Sequence, residues 1–550
     1  LIGLFTFGNV PLDTREVDGN LVIATQNNVF VYDSNFTLLA NASVNQEFNA
    51  LFTSATITDN HIYIGTQTLG VLQTELSDTS NYEIIRPDGP LKNSAFKIEA
   101  GNNELWVTYG DYDQFYNPYP LNSFGLSHLT DEEWNNISKD SVLGAYNLTY
   151  AAINPFNPSQ VFISAFFSGL LEINDDVPTV LYNQTNSGLE SLIVPGSPDY
   201  IDIRVGGSKF DRNGLLWTLT CLVARPLKSY NLSTQQWQSY SFEEIITNPL
   251  SDELGFSDLD IDSNGTKWTG SFSNGVIGYN ENGNKINRLY SLEQNMPSPN
   301  VRCVAIDNRN QLWIGTEGGL RVLYNTSGFL DDPNPQASSI IILDDGIPKE
   351  LLADQFITDI EVDGSNNKWV GTIDSGVFYF TPDGRETIYH FTKANSPLPS
   401  NSISDISIDT QNGKVFIATD KGLVSFSSGG SKTEDELSNA FVYPNPVRPE
   451  YNILGSNDLN NIKNGVKIKG LTENVNIKIT DIEGNLVAEA QSKVNLRSSK
   501  ANYNFAIDGG TAIWNGKNLG NNIVASGVYL ILISDLESFE TKVLKLLIIR

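Results

Sequence analysis

The chain has 550 residues, with 35 Lys+Arg against 64 Asp+Glu, a formal charge of −29. That length exceeds one ordinary domain, and a surface of that sign repels a phosphate backbone, which excludes a nucleic-acid role. Charged residues make up only 18% and aromatics reach 10%, the balance of a packed protein rather than a disordered acidic polymer.

The charge is unevenly placed. Residues 440–550 hold 12 basic and 10 acidic residues, or +2, which leaves 23 and 54, or −31, for residues 1–439. Two regions with different surface requirements follow. Two cysteines, Cys221 and Cys303, exclude a disulfide-stapled scaffold and a Cys-rich zinc site. The three histidines, His61, His128 and His390, are far apart and form no motif. No apolar run approaches the ~18–20 residues that span a bilayer. The chain opens on Leu1 with neither an initiator Met nor a basic leader, so a processed or truncated product is expected.

One phrase recurs from the start of the chain: an alternating apolar run, an Asp, a turn, Trp-Ile/Val-Gly-Thr, then Gly-Val/Leu and an aromatic. Copies centre on Val22, Tyr63, Trp106, Phe162, Trp217, Trp268, Trp313, Trp369 and Phe416, 41 to 56 residues apart. In four copies an Asp stands six residues before the Trp: Asp211, Asp262, Asp307 and Asp363. The period-two alternation on either side predicts strands, and Asp, Asn and Gly suit the turn between them. Each unit therefore reads as a four-stranded meander, here lettered A to D, and a period of 40–50 residues points to β-propeller blades. The seven copies from Trp106 to Phe416 suit one seven-bladed ring over residues 76–430. Residues 1–75 are expected to be the last two blades of an earlier propeller, unless a strand exchange alters the count. The phrase resembles the two-component-regulator type of propeller repeat.

After a polar linker at 431–439, the composition changes. Phe441-Val-Tyr443-Pro444-Asn445-Pro446-Val447, Ser526-Gly527-Val528-Tyr529 and Lys542-Val-Leu-Lys545 punctuate alternating strands with Glu-Gly-Asn and Asn-Gly turns, which predicts an Ig-like β-sandwich over 440–550. These phrases, in this order, resemble the C-terminal domain that Bacteroidetes proteins use as a type IX secretion signal. On this resemblance Tyr443, Pro444, Asn445, Pro446, Gly527, Val528, Tyr529, Lys542 and Lys545 form the signal or docking motif.

Propeller repeats followed by such a domain are similar to a family of cell-surface components of the type IX attachment complex. The resemblance implies a location on the extracellular side of the outer membrane of a Gram-negative bacterium. It implies as partners the sortase PorU, the outer-membrane shuttle PorV, PorQ and anionic lipopolysaccharide, which the family presents to the sortase while its C-terminal domain is retained. The alternative is a secreted surface cargo, an adhesin or carbohydrate-active propeller, whose C-terminal domain is a cleaved export signal. A sensor domain of a two-component receptor lacks the membrane span and kinase that would follow it.

The residues offer no enzyme, cofactor or metal site. Asp260-Ile-Asp262-Ser-Asn264-Gly265 resembles the start of a calcium loop, yet its twelfth position is Ser271 and the segment is the repeat's turn. Asn-x-Ser/Thr sites such as Asn136, Asn231 and Asn325 read as coincidence in an Asn-rich bacterial chain. For binding, the B–C loop after Trp106 is expanded and carries Tyr112, Phe115, Tyr116 and Tyr119, aromatics too costly to leave bare. Arg225 and Lys228, in the loop after Trp217, could meet a phosphate or carboxylate. A body at −31 repels an anionic glycolipid, so that role requires a local basic patch or bridging divalent cations.

Overall fold

A computed structural model describes residues 10–44, 50–67, 69–344, 346–427, 430–451, 453–457, 459, 464–496 and 503–550. It contains two compact units, residues 1–89 and 90–550. None of its described helices is long and apolar enough to cross a membrane.

The first unit holds two antiparallel meanders, Pro11–Val17 to Leu38–Ser43 and Phe52–Thr58 to Glu83–Ile85. They share a core of Val22, Val29, Phe52, Ile62, Ile64 and Leu72. Glu83–Ile85 pairs with Val71–Glu75 as the fourth strand of the second sheet. The break between units therefore falls at Gly89–Pro90 instead of after residue 75, because the edge strand completes its sheet first.

In the second unit seven meanders follow one another. Their inner strands are Lys97–Gly101, Leu148–Ile153, Ile203–Phe210, Phe256–Ile261, Val301–Ile306, Ile357–Val362 and Ile403–Asp409. Blades five and seven have three full strands each, and a single bridge from Val322 to Ser338 marks the edge of blade five. The ring closes between blades seven and one. Asp405 accepts the Ile98 N–H at 2.7 Å and pairs with Lys97 at 2.6 Å, while Ser407 Oγ accepts from Ala100 N. Phe416 and Ala418 of blade seven share a core with Ile98, Leu105 and Val107 of blade one. All nine residues that centre the repeat lie on the second strand of their sheet.

The six-residue Asp–Trp spacing has a physical cause. Asp211 Oδ1 accepts the N–H groups of Asn213 and Leu215, closing the turn, and its Oδ2 accepts the Trp217 indole N–H at 2.9 Å. Asp262 does the same for Trp268 at 3.1 Å, and Asp307 for Trp313 at 3.3 Å. In blade six Asp363 turns to Tyr379 Oη at 2.6 Å, and the Trp369 indole N–H has no partner among the described residues. The next blade adds a cation: Lys267 Nζ sits 3.7 Å from the centre of the Trp217 ring, and Lys368 Nζ 4.6 Å from that of Trp313. Lys368 also pairs at 2.9 Å with Asp307, and both side chains are fully enclosed.

The C-terminal region is a sandwich of two four-stranded sheets. One orders Phe441–Tyr443, Val466–Lys469, Thr511–Trp514 and Phe505–Asp508; the other orders Leu486–Gln491, Val475–Asp481, Gly527–Asp535 and Thr541–Ile548. Trp514, Ile468, Ile477, Ile531 and Leu546 fill the space between them. The segment expected as a linker is tied down at its start. Gly430 C=O accepts from Gly364 N in blade six, Lys432 N donates to Thr410 C=O in blade seven, and Ser431 C=O accepts from Gly510 N in the sandwich. A Cβ on Gly364 would lie 1.9 Å from the Ser431 carbonyl oxygen, so only glycine allows this approach. Leu437 is completely buried.

Replacing Asp307 removes a turn cap, an indole acceptor and the counterion of a buried lysine. Asp307→Ala is expected to cost about 3–5 kcal/mol. Asp211→Ala is expected to cost only about 1–2 kcal/mol, because Lys267 above its Trp pairs with Glu281 instead. Denaturant unfolding of the two variants checks this, and equal losses would contradict the account.

Candidate functional site

Inner strands bring charges two residues apart onto the ring axis: Lys97 and Glu99, Asp258 and Asp260, Asp359 and Glu361, with Lys209 and Asp405. They line a central channel of about 450 Å³. Six carboxylates face two ammonium groups. Most of the acids have a structural task, since inner strands of neighbouring blades form no ladder and their N–H groups need acceptors. Asp260 accepts from Ile306 N at 2.7 Å, Asp359 from Ile406 N at 2.8 Å and Asp258 from Val304 N at 3.3 Å. Burial pushes the carboxyls of Glu99 and Asp258 up to about 7, against the opposing pull of Lys209 and Lys97 respectively. Glu361 and Asp405 are raised further by burial and by neighbouring carboxylates. Among the described residues no group of three His, Cys, Asp or Glu is arranged to hold a metal ion.

One mouth of the channel is capped. The expanded loop of blade one reaches across the ring: Tyr112 Oη bonds Tyr150 Oη of blade two at 2.9 Å, and Arg204 of blade three donates to the Tyr116 carbonyl. The Tyr116 ring stacks on Tyr112 at 4.7 Å and packs on Gly255 of blade four, where a Cβ would approach within 2.3 Å. Arg302 of blade five lies 5.1 Å from the centre of that ring. Tyr116 is thus completely buried and Tyr112 half-buried, which moves both from the expected contact surface into the packing of the ring itself. Phe115 and Tyr119 remain outward, 54% and 47% exposed.

The second expected contact pair is also internally satisfied. Glu190 accepts from Arg225 at 2.7 Å and from Lys228 at 2.9 Å, and the Lys228 side chain is fully enclosed. Its ammonium cannot reach a ligand without breaking that pair. His128 is stacked 4.1 Å from Trp106 and bonds Asp176 and Glu104. Burial lowers its affinity for a proton, but the two carboxylates more than compensate and hold it up to about 9. His61 Nδ1 lies 2.9 Å from the Asp59 carbonyl and His390 Nε2 2.8 Å from that of Ser375. Cys221 and Cys303 are buried, and burial pushes the Cys221 thiol up to about 12. At the calcium-like sequence, Asp262 Oδ1 caps Asn264 N and Thr266 N, an ordinary hairpin turn.

Several of the residues expected to form the motif of the C-terminal domain lie on or against its last strand, Thr541–Ile548. Asn445 acts as a substitute for a neighbouring strand: its Nδ2 donates to Lys545 C=O at 2.7 Å and its Oδ1 accepts from Leu547 N at 3.0 Å. Pro444 and Pro446 flank it and offer no N–H of their own. Val447 continues the contact with two backbone bonds, to Leu547 C=O and from Ile549 N. Gly527 starts the strand paired to Ile548, Val528 faces outward, and Tyr529 Oη bonds Ala525 C=O at 2.9 Å. Lys542 Nζ bonds Ser438 C=O at 2.5 Å. Tyr443 pairs with Lys467 on the opposite sheet.

The fold is that of a β-propeller chain that ends in a β-sandwich. The two-component regulator propeller family model matches residues 295–318. Among solved structures, the chain is similar to PorZ of Porphyromonas gingivalis, described as an essential bacterial surface component of the type-IX secretion system. Identity is 23% and the TM-score 0.63, over 97% of this chain and 69% of that one. The extracellular domain of a hybrid two-component system of B. thetaiotaomicron aligns over 100% of this chain and 76% of its own at 13% identity, with a TM-score of 0.44. No curated protein matches the sequence.

The channel carboxylates set a pH dependence. Glu99 and Asp258 bind protons more tightly folded than unfolded, so stability is greatest at low pH and falls as the pH rises from their unfolded values to about 7. Glu99→Gln is expected to match the wild type near pH 5 and to be more stable by about 2 kcal/mol at pH 8. Unfolding midpoints across that range check it; parallel curves for the two proteins would show that Glu99 ionises freely.

Proposed function

We propose that this chain is a non-catalytic, surface-exposed component of a type IX secretion attachment complex, with its C-terminal sandwich retained as a docking module. The observation that carries the reading is the junction. An export tail that is cut off needs a free linker, whereas here the exposed stretch Glu434–Glu436 is held at both ends: Gly430–Lys432 bond to blades six and seven and to the sandwich, and Leu437 packs into the sandwich core. Ser431, Leu437 and Ala440 are buried, and Ser365 of blade six bonds Asp508 of the sandwich at 2.5 Å. The fold similarity to PorZ supports the same reading.

On this reading the chain lies at the outer membrane, faces the exterior and associates with a PorU-like sortase, a PorV-like shuttle and PorQ. It binds anionic lipopolysaccharide and presents it to the sortase. Phe115 and Tyr119 are the aromatic contacts left on the capped face of the ring. The two blades of residues 10–89 are too few to close a ring and are read as the end of another propeller.

A pull-down from detergent-solubilised outer membrane, with the affinity tag in a surface loop, tests the proposal. Co-purification of the sortase and shuttle, with the bait's mass including residues 440–550, is the expected result. A bait trimmed near Ala440 and carrying a glycolipid would make it cargo. The junction itself gives a second prediction: limited proteolysis leaves residues 430–440 intact in the wild type, while Gly364→Val, which drives a side chain into Ser431, opens them to cleavage at least tenfold faster.

A further inference from the structure

In the other six blades the third strand is largely buried. A fourth strand lies outside it, or in blade five the bridge from Ser338. Blade seven differs. Its third strand, Gly422–Ser427, pairs with Lys414–Thr419 on one side and contains no buried residue; Ser425 and Ser427 are exposed. The path of the chain is the reason. In blades three, four and six a short turn brings it back as the fourth strand, Gln236–Tyr240, Lys285–Leu289 and Thr387–Phe391. After blade seven it is held instead by the bonds of Gly430 and Lys432 to blades six and seven.

The ladder fixes which groups face outward. Ile406 N–H points inward to Asp359, so its partner Ile417 turns its backbone groups toward Gly422–Ser427. Along an antiparallel pair these directions alternate. Val424 and Phe426 therefore bond back into the sheet, and Leu423, Ser425 and Ser427 present their N–H and C=O groups outward. Among the described residues no hydrogen bond from another segment reaches them. In blade five the same places are taken: Val322 exchanges two backbone bonds with Ser338, and the Arg321 guanidinium donates to Leu320 C=O at 2.8 Å.

The edge lies in a groove with apolar walls. Val424 and Phe426 lean on blade six, where the Phe426 ring meets Phe391 at 5.1 Å and Tyr389 at 5.8 Å. Leu423 leans on blade one beside Leu129 and Trp134. All of these side chains are half-buried. Proteins guard an open edge with charges, proline or a bulge, because it invites pairing with another chain. Such guards stand on the outer strands of other blades: Glu133 in blade one, Pro178 beside a bulge in blade two, Lys285 and Arg288 in blade four. Gly422–Ser427 has no charge, no proline and an unbroken register.

We propose that the outer edge of Gly422–Ser427 is a docking site for an extended segment of a partner protein, which adds antiparallel as the fourth strand of blade seven. The ring itself shows what fits. Fourth strands of blades one, three, four and six are five residues long, and each has a half-buried apolar residue second: Trp134, Trp237, Ile286 and Ile388. The partner segment has the same form, an aromatic or branched side chain between polar ones. A helix spends its backbone groups internally and a glycan offers no ladder, so neither satisfies this edge. The site is separate from the sandwich and stands whether or not the chain belongs to an attachment complex.

The test uses the full chain and a labelled, end-blocked peptide with the sequence of residues 386–392, the fourth strand of blade six. Its one charge at pH 8, on Glu386, gives it no attraction to an acidic body. Saturable binding by fluorescence anisotropy is expected, with hydrogen exchange across residues 422–427 slowed at least tenfold at saturation. The peptide with Tyr389→Pro, which cannot extend a ladder, is expected to bind at least tenfold more weakly. In the protein, Ser425→Pro removes an N–H that the blade's own ladder does not use. Its unfolding midpoint is expected to stay near that of the wild type while peptide affinity falls at least tenfold; Ser425→Val keeps both. Should Ser425→Pro fail to fold, the proline peptide and the exchange measurement decide. Absence of saturable binding, equal binding of the two peptides, or protection confined to other segments overturns the proposal. A concentration-dependent dimer in sedimentation that Ser425→Pro abolishes would give the edge to a second copy of this chain, which also overturns it.

Discussion

Radially arranged sheets leave one problem that no ladder solves: the innermost strands run beside one another without pairing, so their N–H groups point at neighbours that offer no carbonyl. In this ring the answer is a carboxylate. Asp258, Asp260, Asp359 and Asp405 each reach across to a backbone N–H of the following blade, the last of them closing the circle onto Ile98. Much else follows from that choice. The acids concentrate on the axis, the channel becomes electronegative, and Lys97 and Lys209 are needed to offset part of the field. A second use of carboxylates, farther out, joins turn and Trp in blades three to five, and in blade five the neighbouring Lys368 as well. The acidity of the chain is to that extent a structural property rather than a signal about ligands.

How much of this was legible in the sequence depends on range. The repeat positions mark the second strand of every blade, because Trp-Ile-Gly-Thr is a local pattern whose alternation survives any tertiary context. The Asp–Trp interval was visible as a turn, but the indole bond was not, since it depends on the side chain curling back over the strand it starts. The strand Glu83–Ile85 was assigned to the wrong side of a boundary because three residues carry too little periodicity to outweigh a short preceding loop. The polar stretch Ser431–Asn439 reads as solvated, and most of it is; what no local pattern encodes is that its start is pinned by Gly364 and Gly510, roughly 70 residues away on either side.

The candidate site shows the same division. Of the aromatics of residues 112–119, Tyr112 and Tyr116 find their partner in the ring's own far side, a contact between blades one and five that no local pattern encodes, while Phe115 and Tyr119 stay outward. Arg225 and Lys228 looked free because Glu190 lies 35 and 38 residues earlier.

The cap over the channel has a mechanical consequence. Its loop starts in blade one and makes contacts on blades two, three, four and five, so it acts as a brace across more than half of the circumference. Blades six and seven have no such brace, and the seam between seven and one is held by side chains and a shared core, with no strand of one blade completing the sheet of the other. Pulled outward, the ring would yield at that seam while the braced arc moved as one piece. The sandwich is anchored beside that weak point, on the turns of blades six and seven, where a docked partner would load the hinge rather than the arch.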